Sequence, residues 1–414
     1  MTAAHTADLE RLRHPDEALE TVLSFAHPLG TEFVPLAEAA WRVLAHDLLA
    51  PENHPPFAAS TMDGYAVLAA DVSPWREVLG VQNAGAVIDA EVTDGYTVKI
   101  MTGAPVPRGA DAVVKVENSA IVDDHVVITQ EVITPGENIR PVGVDIKEGD
   151  LLVRAGTRLG PAEIGLVAGM GINPVEVVRK PRVSVISTGD ELVEPGQPIG
   201  PGQIRDSNSY SLMTALQAEG AEVIWRGKAP DERDALKTLL EERLAESDVV
   251  ITSGGVSMGD LDLVKLLLFE LATVHFQRLM MKPGKPLNFA TAGKTLIFGL
   301  PGNPVSALAG FELFLRPALG VLSGRGPVPR PRIAVTLDDS LPPTDRIEYV
   351  RGFVYVGDDG RLHGRANGPQ GSSRLMSFAG GINALLIVPI GNARHEPGEQ
   401  VDALLLSAPL VPMT

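Results

Sequence analysis

The 414-residue chain has no cysteine, which excludes disulfides, thiolate metal ligands and cysteine nucleophiles. Aromatic residues are scarce at 5%, and charged residues make up 21% against 44% hydrophobic. That balance belongs to a globular chain rather than a disordered one. Positive charge is also in short supply: 35 Lys and Arg stand against 52 Asp and Glu, a net charge of −17. The deficit argues against binding to nucleic acid or to an anionic membrane. It also means that an anionic substrate would need a local basic pocket. Residues 1–20 lack the apolar core of a secretion signal, and no apolar run reads as long enough to span a bilayer, so a cytoplasmic protein is expected. Turn formers, by contrast, are plentiful. The 42 glycines and 33 prolines point to many turns and to some all-β domains.

A chain of this length holds about three domains at ~100–200 residues each, and its texture changes four times. Residues 1–50 read as two helices. One starts at Pro15 and carries Ala18, Leu19, Val22, Leu23 and Phe25; the other is opened by Pro35 and runs to Ala45. Residues 51–140 hold short strands near 97–101, 112–116 and 126–129 separated by Asp-Gly and Arg-Gly turns, a small β-rich domain. Residues 141–180 are transitional, with a short helix at 161–169 that is expected to pack back on the N-terminal helices as one discontinuous domain. Residues 181–326 alternate strand and helix, the pattern of a doubly wound α/β domain. Residues 327–414 show strands near 332–337, 347–356, 384–389 and 401–406, a small barrel or sandwich.

The most informative stretch is Ile251-Thr252-Ser253-Gly254-Gly255-Val256-Ser257-Met258-Gly259-Asp260-Leu261-Asp262. A buried strand precedes it and a helix over 263–271 follows. Glycines let backbone N–H groups approach a ligand, and a helix N-terminus favours an anion. Asp260 and Asp262 add hard oxygen ligands of the kind Mg²⁺ takes. In a parallel sheet, the loops leaving strands toward helices gather at the carboxyl edge. Four such loops would bring Glu191, Asp231, Asp260 with Asp262, and the Pro301–Pro304 turn to one crevice, with the two-lysine loop Lys282-Pro283-Gly284-Lys285-Pro286 nearby. Asp231 also reads as a helix cap; Asn303 is a natural N-cap and Pro304 a natural first helical residue. On local chemistry alone, Asp63 and Thr102 read as turn-stabilising residues. The loop Gly368-Pro369-Gln370-Gly371-Ser372-Ser373-Arg374 reads equally as an anion contact and as plain surface.

Seven ordered motifs extend this picture: Ser60-Thr61-Met62-Asp63-Gly64-Tyr65-Ala66, Met101-Thr102-Gly103-Ala104, Ser187-Thr188-Gly189-Asp190-Glu191-Leu192, Asp206-Ser207-Asn208-Ser209, Thr252-Ser253-Gly254-Gly255-Val256-Ser257, Lys282-Pro283-Gly284-Lys285-Pro286 and Gly299-Leu300-Pro301-Gly302-Asn303-Pro304-Val305-Ser306-Ala307. Together they resemble the molybdopterin molybdenumtransferase family, which includes the C-terminal domain of gephyrin, from about Asp16 to the C-terminus. The resemblance implies a multidomain α/β plus β fold. Its parts would be a helical/linker domain (1–50 with 141–180), a small β-rich domain (51–140), a central doubly wound α/β/α domain of molybdopterin-binding type (181–326) and a C-terminal β-barrel (327–414). It implies a homodimer with its active site at the subunit interface, and a Mg²⁺-assisted reaction that inserts molybdate into adenylylated molybdopterin and releases AMP. By the same resemblance Asp63 and Thr102 become catalytic, supplied by the partner subunit. Glu191, Asp231 and Asp262 would hold Mg²⁺ or orient the leaving group. Ser253, Gly254, Gly255, Val256, Ser257, Lys282, Lys285, Pro301, Asn303, Pro304 and Ser372 would contact substrate. Met258, Leu261, Val144 and Ala290 depart from the family's usual residues, and none of them removes an acidic or lysine site residue. Two alternatives are a molybdopterin adenylyltransferase, which would resemble 181–326 alone, and a non-catalytic molybdopterin-binding scaffold.

Overall fold

A computed structural model describes Leu9 and residues 11–230, 232–254, 263–371 and 373–410. The chain forms two compact units, one of residues 1–34, 41–45 and 176–414, the other of residues 35–40 and 46–175.

The first unit is built on a six-stranded sheet. Its strands lie in the order Glu222–Lys228, Arg182–Ser187, Val249–Ser253, Thr295–Leu300, Asn288–Ala292 and Thr273–Phe276. The first four are parallel, and the last two join antiparallel. The central strands are apolar on both faces because helices cover both. Val249 and Ile251 enter a cluster with Leu212, Leu216, Phe311 and Phe314, while Val250, one residue out of phase, enters another with Leu236, Leu240 and Leu267. This alternation with period two is what a sheet buried on both sides requires. The helix Pro15–Phe25 adds Ala18 and Val22 to the first cluster. The longest helical run, Pro304–Leu322, passes through a short π-helical turn at Phe311–Leu315. Although by length and composition it could cross a membrane, which the sequence reading did not foresee, 78% of its most apolar stretch is buried in the fold. It is an interior helix of a large core.

The C-terminal strands close into a barrel. Ile347–Val356 pairs with Leu362–Ala366, which pairs with Arg332–Leu337, then Gln400–Leu405, then Ala384–Val388, which pairs back to Ile347–Val356. Closure leaves these five strands no free edge. Val335, Val350, Val354, Leu386 and Val401 fill the interior. Tyr349, Leu385 and Ile387 point the other way and join the core of the α/β sheet.

The second unit contains a four-stranded sheet in the order Glu77–Gln82, Tyr96–Ile100, Gly64–Val67 and Ala112–Lys115, with a separate hairpin of Ser119–Val122 and His125–Ile128. Its buried residues include Tyr65, Val67, Val98, Ile100 and Val114.

One expected element is not formed. In place of a helix from Pro35 to Ala45 there is a single 3₁₀ turn, Leu36–Glu38. Trp41 has φ 65, a left-handed conformation that a right-handed helix cannot pass through. The Val43 carbonyl then accepts from Val178 N–H, and Ala45 N–H donates to the Glu176 carbonyl. Strand-type partners satisfy this backbone instead.

Candidate active site

The four parallel strands end in register: Ser187 lies opposite Lys228 on one side and Ser253 on the other, and Ser253 lies opposite Leu300. The loops that follow are stitched together by their backbones. Thr188 N–H donates to the Ser253 carbonyl at 3.0 Å and Gly254 N–H to the Leu300 carbonyl at 3.0 Å. The Asn208 amide ties two of them from the side, donating to Ser253 Oγ at 2.8 Å and to the Gly302 carbonyl at 2.9 Å. Gly254 has φ +90, and a Cβ there would lie 2.7 Å from the Thr188 carbonyl oxygen. Only glycine fits so close an approach.

These loops line a cavity of about 720 Å³ whose wall includes Thr188, Glu191, Asn208, Pro230, Ser253, Gly254, Pro301, Asn303 and Pro304. Its acidic side chains do different things. Asp206 is buried and its carboxylate accepts from Ser187 Oγ at 2.6 Å and from Ser209 N–H at 3.1 Å. It thereby caps the helix Asn208–Ala218. Glu191 is exposed and folds back over Gly189, which has φ +128; a Cβ there would lie 2.3 Å from Glu191 Oε2 and would push that carboxylate aside. The flap that carries Glu191 is braced from below. Arg226 stacks on Tyr210 at 4.1 Å and bonds Glu194 at 3.1 Å, and the Tyr210 hydroxyl donates to Glu194 at 2.8 Å. The Tyr210 bond and then Arg226 hold the Glu194 carboxyl below its ordinary range.

A second cavity of about 660 Å³ shares Pro286, Pro301 and Asn303 with the first. The short strand Met281–Lys282 runs parallel to Ile347–Val356 and sets Lys282 opposite Glu348. Lys282 Nζ lies 3.1 Å from both Glu348 oxygens. Lys285 lines the same cavity and makes no ion pair among the described residues. Behind the wall lies Arg351, buried to 1% exposure. Its guanidinium donates to Ser377 Oγ at 2.8 Å and to the Gly371 carbonyl at 3.1 Å. Burial pushes its pKa down, and Glu348 opposes that shift.

In the second unit Asp63 and Thr102 meet. Asp63 Oδ1 accepts from the Thr102 N–H at 2.7 Å and from its hydroxyl at 2.8 Å. The backbone bond first, and the hydroxyl bond second, hold the Asp63 carboxyl below its usual range. Both residues are exposed. Gly64 makes the geometry possible, because a Cβ there would lie 2.0 Å from the Val114 carbonyl oxygen.

Comparison with known proteins is decisive. Three family models match consecutive parts of the chain: the MoeA N-terminal region (domain I and II) over residues 13–171, the probable molybdopterin binding domain over 184–320 and the MoeA C-terminal region (domain IV) over 334–406. The molybdopterin molybdenumtransferase of Haemophilus influenzae is 36% identical across 90% of this chain and 93% of its own. The chain belongs to the molybdopterin molybdenumtransferase family. Gephyrin of Dictyostelium discoideum is also 36% identical, over 94% of this chain and 62% of the longer protein. Two structures of the molybdopterin biosynthesis MoeA protein from Pyrococcus horikoshii superpose with TM-scores of 0.82 and 0.72, at 33% and 32% identity, over 96% and 95% of this chain and all of theirs.

Set against the molybdenumtransferase motifs, the first cavity gathers Glu191, Ser253, Gly254, Pro301, Asn303 and Pro304, and the second gathers Lys282 and Lys285 with Pro301 and Asn303. Asp231, Gly255, Val256, Ser257, Asp260, Asp262 and Ser372 lie outside the described residues. Among the described residues no group of three His, Asp or Glu side chains could hold a metal ion. Of the three carboxylates expected to hold Mg²⁺, the described residues supply Glu191 alone. Capping differs from expectation in two places. Glu232, not Asp231, occupies the N-cap position of Arg233–Glu246, accepting from Asp234 and Ala235 N–H. Asn303 stands at the N-cap of Pro304–Gly310 without a side-chain cap bond. Glu348 and Arg351 were not singled out from sequence, and Asn208 stood there only within a motif, without its role in tying two loops together. The available signal for the first two was a pair of charges inside an otherwise apolar strand.

Proposed function

We propose that this protein inserts molybdate into adenylylated molybdopterin and releases AMP, as the last step in assembling the molybdenum cofactor. The observation that carries the reading is the pair of adjoining cavities in a chain of this family. One is walled by the glycine-rich ends of four parallel strands, the other by two lysines. The first suits a nucleotide-linked pterin, because backbone N–H groups at the strand ends can approach phosphate closely. The second suits a tetrahedral oxyanion, supplying local positive charge in a protein of net charge −17.

In this reading Ser253 and Gly254, with Gly255, Val256 and Ser257, cradle the substrate phosphate. Lys282 and Lys285 draw molybdate, and Pro301 and Pro304 fix the turn between the cavities. Asn303 and Ser372 complete the substrate contacts. Asp63 and Thr102 act on the substrate from a partner subunit, so the working unit is a homodimer of cytoplasmic location. Glu191, Asp231 and Asp262 would hold Mg²⁺, which would neutralise phosphate oxygens as AMP departs. The division into four domains, at the boundaries given above, belongs to the same proposal. A molybdopterin adenylyltransferase is disfavoured, because the family matches at 13–171 and 334–406 flank the α/β domain.

The test is to incubate the purified protein with adenylylated molybdopterin, Mg²⁺ and molybdate, and to follow AMP. Molybdate-dependent release is expected, lost in Asp63→Asn and in Asp262→Asn with the fold intact. Wild-type turnover by both variants would overturn the assigned roles.

A further inference from the structure

The second cavity contains a group that an oxyanion site should avoid. Glu348 is a carboxylate only 5% exposed, on the wall of a cavity whose other charges are Lys282, Lys285 and Arg346, with Arg351 buried behind. Arg346 is paired at 3.2 Å with Asp345, and Arg351 bonds neutral groups only. Lys282 Nζ sits 3.1 Å from each Glu348 oxygen, and the parallel register that places them opposite each other fixes the pair through the backbone. One ammonium proton is thereby committed to Glu348 Oε2, and the others remain for a ligand. A buried carboxylate is costly unless paired, so it serves a purpose if it persists beside an anion site.

We propose that Glu348 is a positioning and charge-limiting residue for that site. It holds the Lys282 ammonium in one place and halves the cavity's free lysine charge, so that a doubly charged tetrahedral oxyanion is bound loosely enough to be passed on. This rests on the reading of the cavity as the molybdate site. Three consequences follow for molybdate binding measured by calorimetry on the full-length protein. Glu348→Gln removes one negative charge a few ångströms from the ligand, and binding tightens by about ten-fold, with a steeper dependence on salt. Lys282→Gln leaves an unneutralised carboxylate facing the ligand, and binding weakens by more than ten-fold. In the double variant Lys282→Gln/Glu348→Gln that carboxylate is gone, and affinity recovers part of the loss. A purely structural role would make the double variant no better than Lys282→Gln. Equal affinity of wild type and Glu348→Gln, or no recovery in the double variant, overturns the inference. Failure of the wild type itself to bind molybdate instead overturns the reading of the cavity. Thermal melts check each variant for folding; if Lys282→Gln does not fold, Glu348→Gln alone decides.

Discussion

Single side chains carry the chemistry proposed here, and Asp63 is the simplest to probe. Its carboxylate is ionised at neutral pH and held so by two bonds from Thr102. A depressed carboxyl contributes stability above its unfolded value near ~3.9 and loses it as pH falls through the lower folded value. Thr102→Val removes the hydroxyl bond and keeps the larger backbone one. The Asp63 titration, followed by carboxyl carbon NMR, should therefore move up only part of the way to the ordinary range. Glu191 offers a second test. With φ +128 at Gly189 and no room for a Cβ beside the Glu191 carboxylate, Gly189→Ala must displace that carboxylate. The strain itself costs roughly 1–3 kcal/mol. AMP release should fall by at least about ten-fold, the equivalent of about 1.4 kcal/mol, while circular dichroism shows a folded protein.

Elements set the precision of the site. The strand ends converge because Ser187, Ser253 and Leu300 are in register, and the Asn208 amide fixes the spacing of their loops. Asn208→Ala leaves a buried hydroxyl and a carbonyl with one partner fewer, which costs about 1–3 kcal/mol. Urea denaturation should show that loss, and the KM for adenylylated molybdopterin should rise as the Ser253 and Gly302 loops loosen. Ser253→Ala removes only one of the two bonds and should cost less on both measures. The alternation of strand and helix over 181–326 was legible in the sequence, because a sheet buried on both faces reads as short apolar runs between amphipathic segments. The helix expected from Pro35 to Ala45 was not, because its backbone groups are claimed by Glu176 and Val178, more than a hundred residues away. Local propensity loses to such distant partners.

The assembly is where the proposal is most exposed. If Asp63 of one subunit serves the cavity of another, two inactive variants should complement. Asp63→Asn and Glu191→Gln protein, unfolded and refolded together, would form about half mixed dimers, each with one intact site. About a quarter of wild-type AMP release should return, against none from either variant alone. Light scattering in line with gel filtration should give twice the 43.8 kDa chain mass. A monomeric mass, or no recovered activity from verified mixed dimers, would remove the shared site.

The glycine-rich strand-end loops and the seven motifs that define the family were readable in order along the chain, and so was the meeting of the Glu191 loop with the Pro301–Pro304 turn at one cavity. They depend on local turn chemistry and on periodicity, which neighbouring residues specify. The pairing of Lys282 with Glu348, 66 positions apart, was not readable, nor were the burial of Arg351 and the contact of Asp63 with Thr102. Each arises where two strands come to lie side by side at one particular register. That register is set by the packing of the whole core, through which side chains far apart in the chain become neighbours.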